Sequence, residues 1–452
     1  MRALSIAALL WSPVALAAQQ PERRTLTGGH VAIYNLVGVM RLERGAGSDV
    51  VVEVTRGGRD AGKLQIATGP LRGRETLRVI YPDDEIVYRE LGRGANTTLR
   101  VRDDGTFNDR EDRGREGHWS DEGRRVRIAG SGGGLDAHAD VRIAIPAGKR
   151  VEVYLAVGQA FVSNVDGDLR VDVAAANVTA DHVKGSLLVD TGSGDVRLGD
   201  AEGDVSLDTG SGNVTVSGVS GPEVRLDTGS GNVTVERVAT DVLMIDTGSG
   251  DVTASSVRAG DVRIDTGSGN VRLDLLADVQ ALDVDTGSGD VTINVPADLG
   301  AAVDIETGSG DIDLQNVTVR TTRLERDHLT GEIGDGKGRI RIETGSGDVT
   351  ASSVRVGNVK IDTGSGNVRL DLLADLEALD VDTGSGDVTI NVPPDLGAEL
   401  DIETGSGDID LQNVTIRTTR LERDHLTGAI GDGKGRIRIE TGSGGVHLVR
   451  AK

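Results

Sequence analysis

Apolar and polar residues alternate in short runs along most of this chain, and glycines punctuate the runs. In Val205-Ser206-Leu207-Asp208-Thr209-Gly210-Ser211-Gly212-Asn213-Val214-Thr215-Val216 the alternation holds before the glycines and resumes after them. A period of two marks short β-strands, and Gly-Ser-Gly between them marks a tight turn. The same register recurs at Leu187/Val189, Val224/Leu226, Leu243/Ile245 and Val262/Ile264 before the turn. After the turn it recurs at Val196/Leu198, Val233/Val235, Val271/Leu273 and Val291/Ile293. Slipping any strand by one residue would exchange its faces, so register is strongly specified.

The turn belongs to a repeat. Asp/Glu-Thr-Gly-Ser-Gly occurs twelve times, with its Thr at 191, 209, 228, 247, 266, 286, 307, 344, 363, 383, 404 and 441. Most steps are 18 to 21 residues and two are 37, as if two copies had been lost. A period near 20 residues signals stacked units that bury a core only against their neighbours. The expected fold is all-β, a parallel β-solenoid (β-helix) with about 19 residues per coil. Each coil contributes about four inward aliphatics and one Thr, and 12 to 15 coils would give a rod roughly 60–70 Å long. The rival arrangement is a run of antiparallel hairpins turning at each Gly-Ser-Gly. Identical inward Thr and outward Asp in every copy favour parallel ladders. The turn glycines are expected to supply positive φ, and the second linker of each unit, such as Ser217 to Pro222, is expected to be looser.

A longer period overlies the short one. Residues 247–343 and 344–440 are tandem blocks of 97 residues that differ at ten positions, such as Arg263 against Lys360. Residues 151–452 form the expected repeat domain. Residues 18–150 carry strand patterns without the repeat (Val31 to Tyr34, Val50 to Val54, Leu77 to Tyr81, Val141 to Ile145), expected as an N-terminal β cap or a small β-domain. Within them 103–125 reads as a mobile charged loop. Residues 1–17 read as a signal peptide, from Met1-Arg2, an apolar run and the small-residue site Ala15-Leu16-Ala17. That implies export to the periplasm, cell surface or medium.

Charge separates the two parts. Residues 21–150 hold 23 Lys and Arg against 20 Asp and Glu, whereas 151–452 hold 25 against 52. An acidic rod repels phosphate backbones, so nucleic acid is not an expected partner. Aromatic residues are 2% of the chain and Cys is absent, so stacking platforms are scarce and rigidity must come from packing.

No residue is assigned a catalytic, cofactor-binding or metal role. Asp-Thr-Gly-Ser matches the signature of aspartic proteases, but Glu replaces Asp at Glu306, Glu343, Glu403 and Glu440, and a shared-proton dyad is not needed twelve times. Stacking Asp208, Asp227, Asp246 and Asp265 about 4.8 Å apart would cost roughly 0.9 kcal/mol per neighbouring pair in water. Solvation and turn N–H groups could offset this, or calcium held by Asp208 with Asn213 and by Asp246 with Asp251. The seven histidines (30, 118, 138, 182, 328, 425, 447) show no ligand spacing. No nucleophile elbow and no phosphate loop occur.

From Val141 onward the chain resembles a known family. The runs Val141-Arg142-Ile143-Ala144-Ile145-Pro146-Ala147-Gly148, Val157-Gly158, Asp166-Gly167-Asp168-Leu169 and Leu188-Val189-Asp190-Thr191-Gly192-Ser193-Gly194-Asp195-Val196 are similar to the bacterial putative-adhesin β-strand-repeat family. The opening segment Ala32-Ile33-Tyr34-Asn35-Leu36-Val37-Gly38 shares the likeness. The resemblance implies an exported β-solenoid of unknown function without defined catalytic residues. The reading is a non-enzymatic structural or binding rod at the cell envelope, with an envelope or extracellular protein or glycan as partner. The alternative is a β-helix enzyme acting on extracellular polysaccharide, which would need a deep acidic groove with a non-repeated residue cluster. A monomer with a charged, frayed C-terminal end is expected.

Overall fold

The structure is a computed structural model. It describes residues 20–108, 123–277, 279–294, 302–315, 319–325, 328–333, 340–354, 358–373 and 375–450. The signal-peptide reading of 1–17 and the middle of the expected loop lie outside these residues. Among the described residues the chain is all-β: a 32-stranded sheet, a three-stranded sheet and two short 3-10 turns, Ala61–Lys63 and Arg89–Leu91. No helix among them is long and apolar enough to cross a membrane.

The repeats stack in parallel. Thr191 pairs with Thr209, Thr209 with Thr228, Thr228 with Thr247, Thr247 with Thr266 and Thr266 with Thr286. The ladder continues through Thr307, Thr344, Thr363 and Thr383. All twelve Thr are buried, and Val224 and Leu226 lie over Leu243 and Ile245 in the same interior. The antiparallel arrangement at Gly-Ser-Gly is therefore excluded. Each fully buried aliphatic contributes about 1.5–3 kcal/mol gross, and the repeat obtains it only because the next rung covers it.

The corners hold two surprises. The turn glycines from Gly210 onward do not adopt positive φ. Their constraint is steric: a Cβ on Gly231 would collide with the Gly212 carbonyl one rung away, and the same holds at Gly250 and Gly269. The expected loose linker is also ordered. Val214–Thr228, Val233–Thr247 and Val252–Thr266 are continuous strands that bend at a single left-handed residue, Gly218, Arg237 or Ser256. One left-handed residue turns the chain without leaving the ladder, so a loop is unnecessary.

The N-terminal region continues the main sheet and adds the separate three-stranded sheet of Glu85–Val87, Arg124–Ala129 and Asn96–Val101. His30–Arg44 pairs in parallel with the start of Lys149–Lys184, from His30 on Arg150 to Glu43 on Ser163. Its far edge is covered by Arg74–Ile80 and His138–Ile145. The hairpin of Gln65–Leu71 with Arg74–Ile80 turns at Arg72 and Gly73, both left-handed. The expected mobile loop is ordered at both described ends. Phe107 is buried edge-on against Tyr34 at 6.0 Å, and Arg124–Ala129 is a strand. An aromatic ring and an aliphatic strand find core, whatever the charge around them.

The doubled steps contain hairpins, not lost coils. Val319–Glu325 pairs antiparallel with His328–Ile333, and Arg417–Leu421 pairs antiparallel with His425–Ile430. At the second block the chain order inverts. Gly435–Thr441 lies between Ala378–Thr383 and Ala398–Thr404, and Val446–Arg450 between Val388–Val392 and Ile409–Gln412. The last coil in sequence is thus internal, and the 398–412 coil ends the stack. Its Ala398–Thr404 strand is closed by His425–Ile430 running antiparallel to it. A frayed end at His447 to Arg450 is excluded, because both edges of that strand are paired.

Candidate functional site

Repeated and non-repeated chemistry occupy different places. Nine of the twelve repeat Thr, from Thr228 onward and excepting Thr404, use both capacities of the hydroxyl. Thr247 Oγ1 donates to the Gly231 carbonyl of the previous rung at 3.0 Å and accepts the Gly250 N–H at 3.1 Å. Thr228, Thr266 and Thr286 do the same. The residue after each turn forms a second ladder. Asn213 Oδ1 accepts the Asn232 N–H at 3.0 Å, Asn232 Oδ1 that of Asp251 and Asp251 Oδ1 that of Asn270, both at 2.9 Å. Asn and Asp both present this oxygen, so either serves. Nothing in a single repeat shows this link, but the persistence of Asn or Asp after every Gly-Ser-Gly except the last was its signal.

Of the oxygens expected to hold calcium, Asn213 Oδ1 and Asp251 Oδ1 are engaged in that ladder. The acids before the Thr do stack, Asp208 on Asp227 and Asp227 on Asp246, at least half-exposed on the outer face. Partial burial and the charge of Asp246 raise the Asp227 pKa, with Arg225 opposing. Among the described residues, one group of three possible metal ligands converges: Asp181, His182 and Asp200. His182 Nδ1 lies 2.7 Å from Asp181 and Nε2 lies 3.7 Å from Asp200. The two carboxylates thus flank opposite ring nitrogens, an ion-paired bridge rather than a chelate, and Asp181 raises the His182 pKa. The other described histidines stay apart: His30 meets Glu152, His425 meets Asp401 and His447 meets Asp410.

The built concavity lies where the N-terminal hairpin overhangs the first rungs. It is a cavity of about 620 Å³ lined by Arg72, Arg74, Arg150, Glu152, Tyr154 and Arg170, and extending to Arg225. Glu152 is buried at its floor. Its Oε1 lies 2.8 Å from His30 Nε2, and its Oε2 accepts from Arg74 at 2.5 Å and from the Tyr154 hydroxyl at 2.8 Å. Burial would push this carboxyl up, but Tyr154, His30 and Arg74 outweigh it and hold the pKa low. Tyr154 is itself stacked on Tyr34 at 4.4 Å. Asp172 lies beside this network, bound by Arg170 at 2.9 Å and by Asn108 at 3.3 Å. Burial pushes it up to about 6, with Arg170 opposing and Asp190 adding to the rise.

Sequence patterning missed this groove because its members are 30 to 225, far apart in the chain and outside the repeat. The groove is rich in arginine, and its central carboxylate is saturated with donors. An acid–base pair needs one carboxyl able to exchange its proton with substrate, and Glu152 has no capacity left for that.

The model of one family matches residues 136–352 and again 339–449, which is more than half of the chain. The chain belongs to the Toastrack DUF4097 family. The match bears out the resemblance read from Val141 onward, and it agrees with the all-β, parallel, solenoid-like stack of the Toastrack region. The strands before residue 136 lie outside it. No curated protein matches the chain. One solved structure is similar, titled a "putative cell adhesion protein" from Clostridium sporogenes. It is 8% identical and covers 96% of this chain and 100% of its own, at a TM-score of 0.19. At that score the likeness supports neither a fold nor a function argument.

Proposed function

We propose that this Toastrack protein is a non-enzymatic β-repeat rod, exported to the bacterial envelope, that binds an envelope or extracellular protein or glycan. In this reading residues 1–17 are the signal peptide, 18–150 the cap region and 151–452 the repeat domain, with about 19 residues per coil. The observation that carries it is the division of labour above. The repeat's buried Thr hydroxyls and the Asn or Asp oxygens after the turns are consumed in holding rung to rung, and the groove under the N-terminal hairpin offers arginines around a carboxylate already saturated with hydrogen bonds. Such a groove recognises an anionic group through Arg150 and Arg225 at its rim. The bulk of the wall is acidic and excludes polyanions, so recognition is confined to the cap end.

Envelope fractions passed over the immobilised mature protein test the reading. Specific retention of a protein or glycan is expected, and the Arg150→Glu, Arg225→Glu double variant should lose it. Release of reducing ends from envelope polysaccharide by the wild-type protein would overturn the non-enzymatic reading in favour of a polysaccharide-acting enzyme.

A further inference from the structure

The two tandem blocks carry an identical tetrapeptide, Ile312-Asp313-Leu314-Gln315 and Ile409-Asp410-Leu411-Gln412, in two different settings. In the first block it is an interior rung. Val291 N–H donates to the Asp311 carbonyl on one edge, and Ile312 N–H donates to Asp348 at 3.0 Å on the other. Val349–Val354 covers that second edge in parallel, and Ile312 is 1% exposed. In the second block Val446 N–H donates to the Asp408 carbonyl, so the inserted strand occupies the edge equivalent to the one facing Val291. Successive residues point their peptide groups to opposite edges. The edge that carries the peptide groups of Ile409 and Leu411 has no strand on it among the described residues, and both side chains are half-exposed.

We propose that this open edge, at the distal end of the stack, pairs with the same edge of a second copy of the chain to give a closed, tail-to-tail dimer. The internal copy shows that this sequence accepts a strand on that edge, in register and with Ile312 buried. The opposite end of the stack offers no matching parallel rung for head-to-tail stacking, because His30–Arg44 is covered by Arg74–Ile80 and His138–Ile145 and the strands beyond these, Gln65–Leu71 and Val50–Gly57, run antiparallel to them. A twofold axis between two distal ends sets the Ile409–Gln412 strands antiparallel, so that Ile409 and Leu411 meet their counterparts. Half-buried Val414 and Ile416, packed against the same core, widen the apolar contact. The neighbouring hairpin strand, Arg417–Leu421, carries Arg417 and Arg420 on its exposed length, the charge that normally blunts an edge. The Ile409–Gln412 strand carries a single charged residue, Asp410, which lies 3.7 Å from His447 of the inserted strand. End contact also keeps apart the acidic side walls of a chain with net charge −23. The inference does not depend on the identity of the envelope partner.

Light scattering of the full mature chain across a concentration series tests it. The mass should rise to twice that of one chain and stop there. Ile409→Lys should remain at single-chain mass with an unchanged melting temperature, because the residue is half-exposed and the new charge only blocks the edge. Should that variant fail to fold, an orthogonal reading is at hand, since the chain has no cysteine. Asp410→Cys, the residue that meets its own counterpart on the twofold axis, should form an oxidised dimer, whereas Arg59→Cys at the opposite end should not. A single-chain mass at every concentration, growth beyond the dimer, or equal cross-linking at both ends would each overturn the proposal. Saturable binding of a synthetic Val349–Val354 peptide to a chain that stays monomeric would also overturn it, assigning the edge to a foreign strand.

Discussion

At the scale of single residues, the Thr and the second glycine of the repeated motif answer distinct demands of the corner. The second glycine is there because the neighbouring rung's carbonyl leaves no room for a Cβ. Gly231→Ala should therefore destabilise the stack by at least about 3 kcal/mol, read as a loss of melting temperature or denaturant midpoint. Ser230→Ala, one position earlier and exposed, should change neither. Thr247→Val keeps the shape but strands the Gly250 N–H and the Gly231 carbonyl, and should cost about 1–3 kcal/mol. If the valine variant melts with the wild type, the hydroxyl is not what holds the corner. Asp172 makes a prediction in pH. Its carboxyl gives up its proton near 3.8 in the unfolded chain but only at about 6 in the folded one. Over that window the folded state binds the extra proton, so stability falls as pH rises from about 4 to 6 and is level above it. Asp172→Asn cannot titrate, and its melting temperature should lack that fall. Persistence of the fall would assign it to another carboxyl.

Among the elements, strands and their register were legible in the chain, because a period of two with one inward Thr per unit admits a single pairing that buries everything. Corners were legible as positions and misread as mechanisms. The sequence places glycine at the turn but cannot distinguish a need for positive φ from a need for space, since both delete the Cβ. The hairpins at the doubled steps were not legible. Leu324 and Leu421 sit in runs too polar to look like core strands, and pairing with a neighbour rather than alternation is what orders them. The groove escaped for a related reason: His30, Arg74, Glu152 and Arg170 share no spacing, and only the overhang of the N-terminal hairpin brings them together. The terminal hairpin yields its own test. Leu426 is its buried anchor. Leu426→Ala should cost the hairpin about 2–5 kcal/mol. That loss falls on an element at the end of the stack, which can open locally. Trypsin should then cut at Arg417 and Arg420 while the main thermal transition stays in place. A shift of the main transition without new cleavage would mean that the hairpin melts only with the rungs.

For the whole molecule, the duplication and the doubled step together fix a length. Deleting 247–343 joins Asp246 to Thr344, and the junction keeps the native sequence, since Thr344-Gly345-Ser346-Gly347 replaces an identical Thr247-Gly248-Ser249-Gly250. Each coil touches only its neighbours, so the shortened chain should fold. If the doubled step held a degenerate coil, the deletion would remove five rungs, about 24 Å of stack at roughly 4.8 Å per rung. In the structure Thr307 pairs directly with Thr344, and the intervening residues leave the ladder as a hairpin. Only the rungs of Thr247, Thr266, Thr286 and Thr307 are lost, and the rod should shorten by about 19 Å. The maximum dimension from small-angle X-ray scattering, compared between full-length and shortened chains at the same oligomeric state, separates the two values. In a tail-to-tail dimer the difference doubles, because both arms shorten. A decrease matching five rungs per arm would return the doubled steps to the stack and remove the hairpins from it.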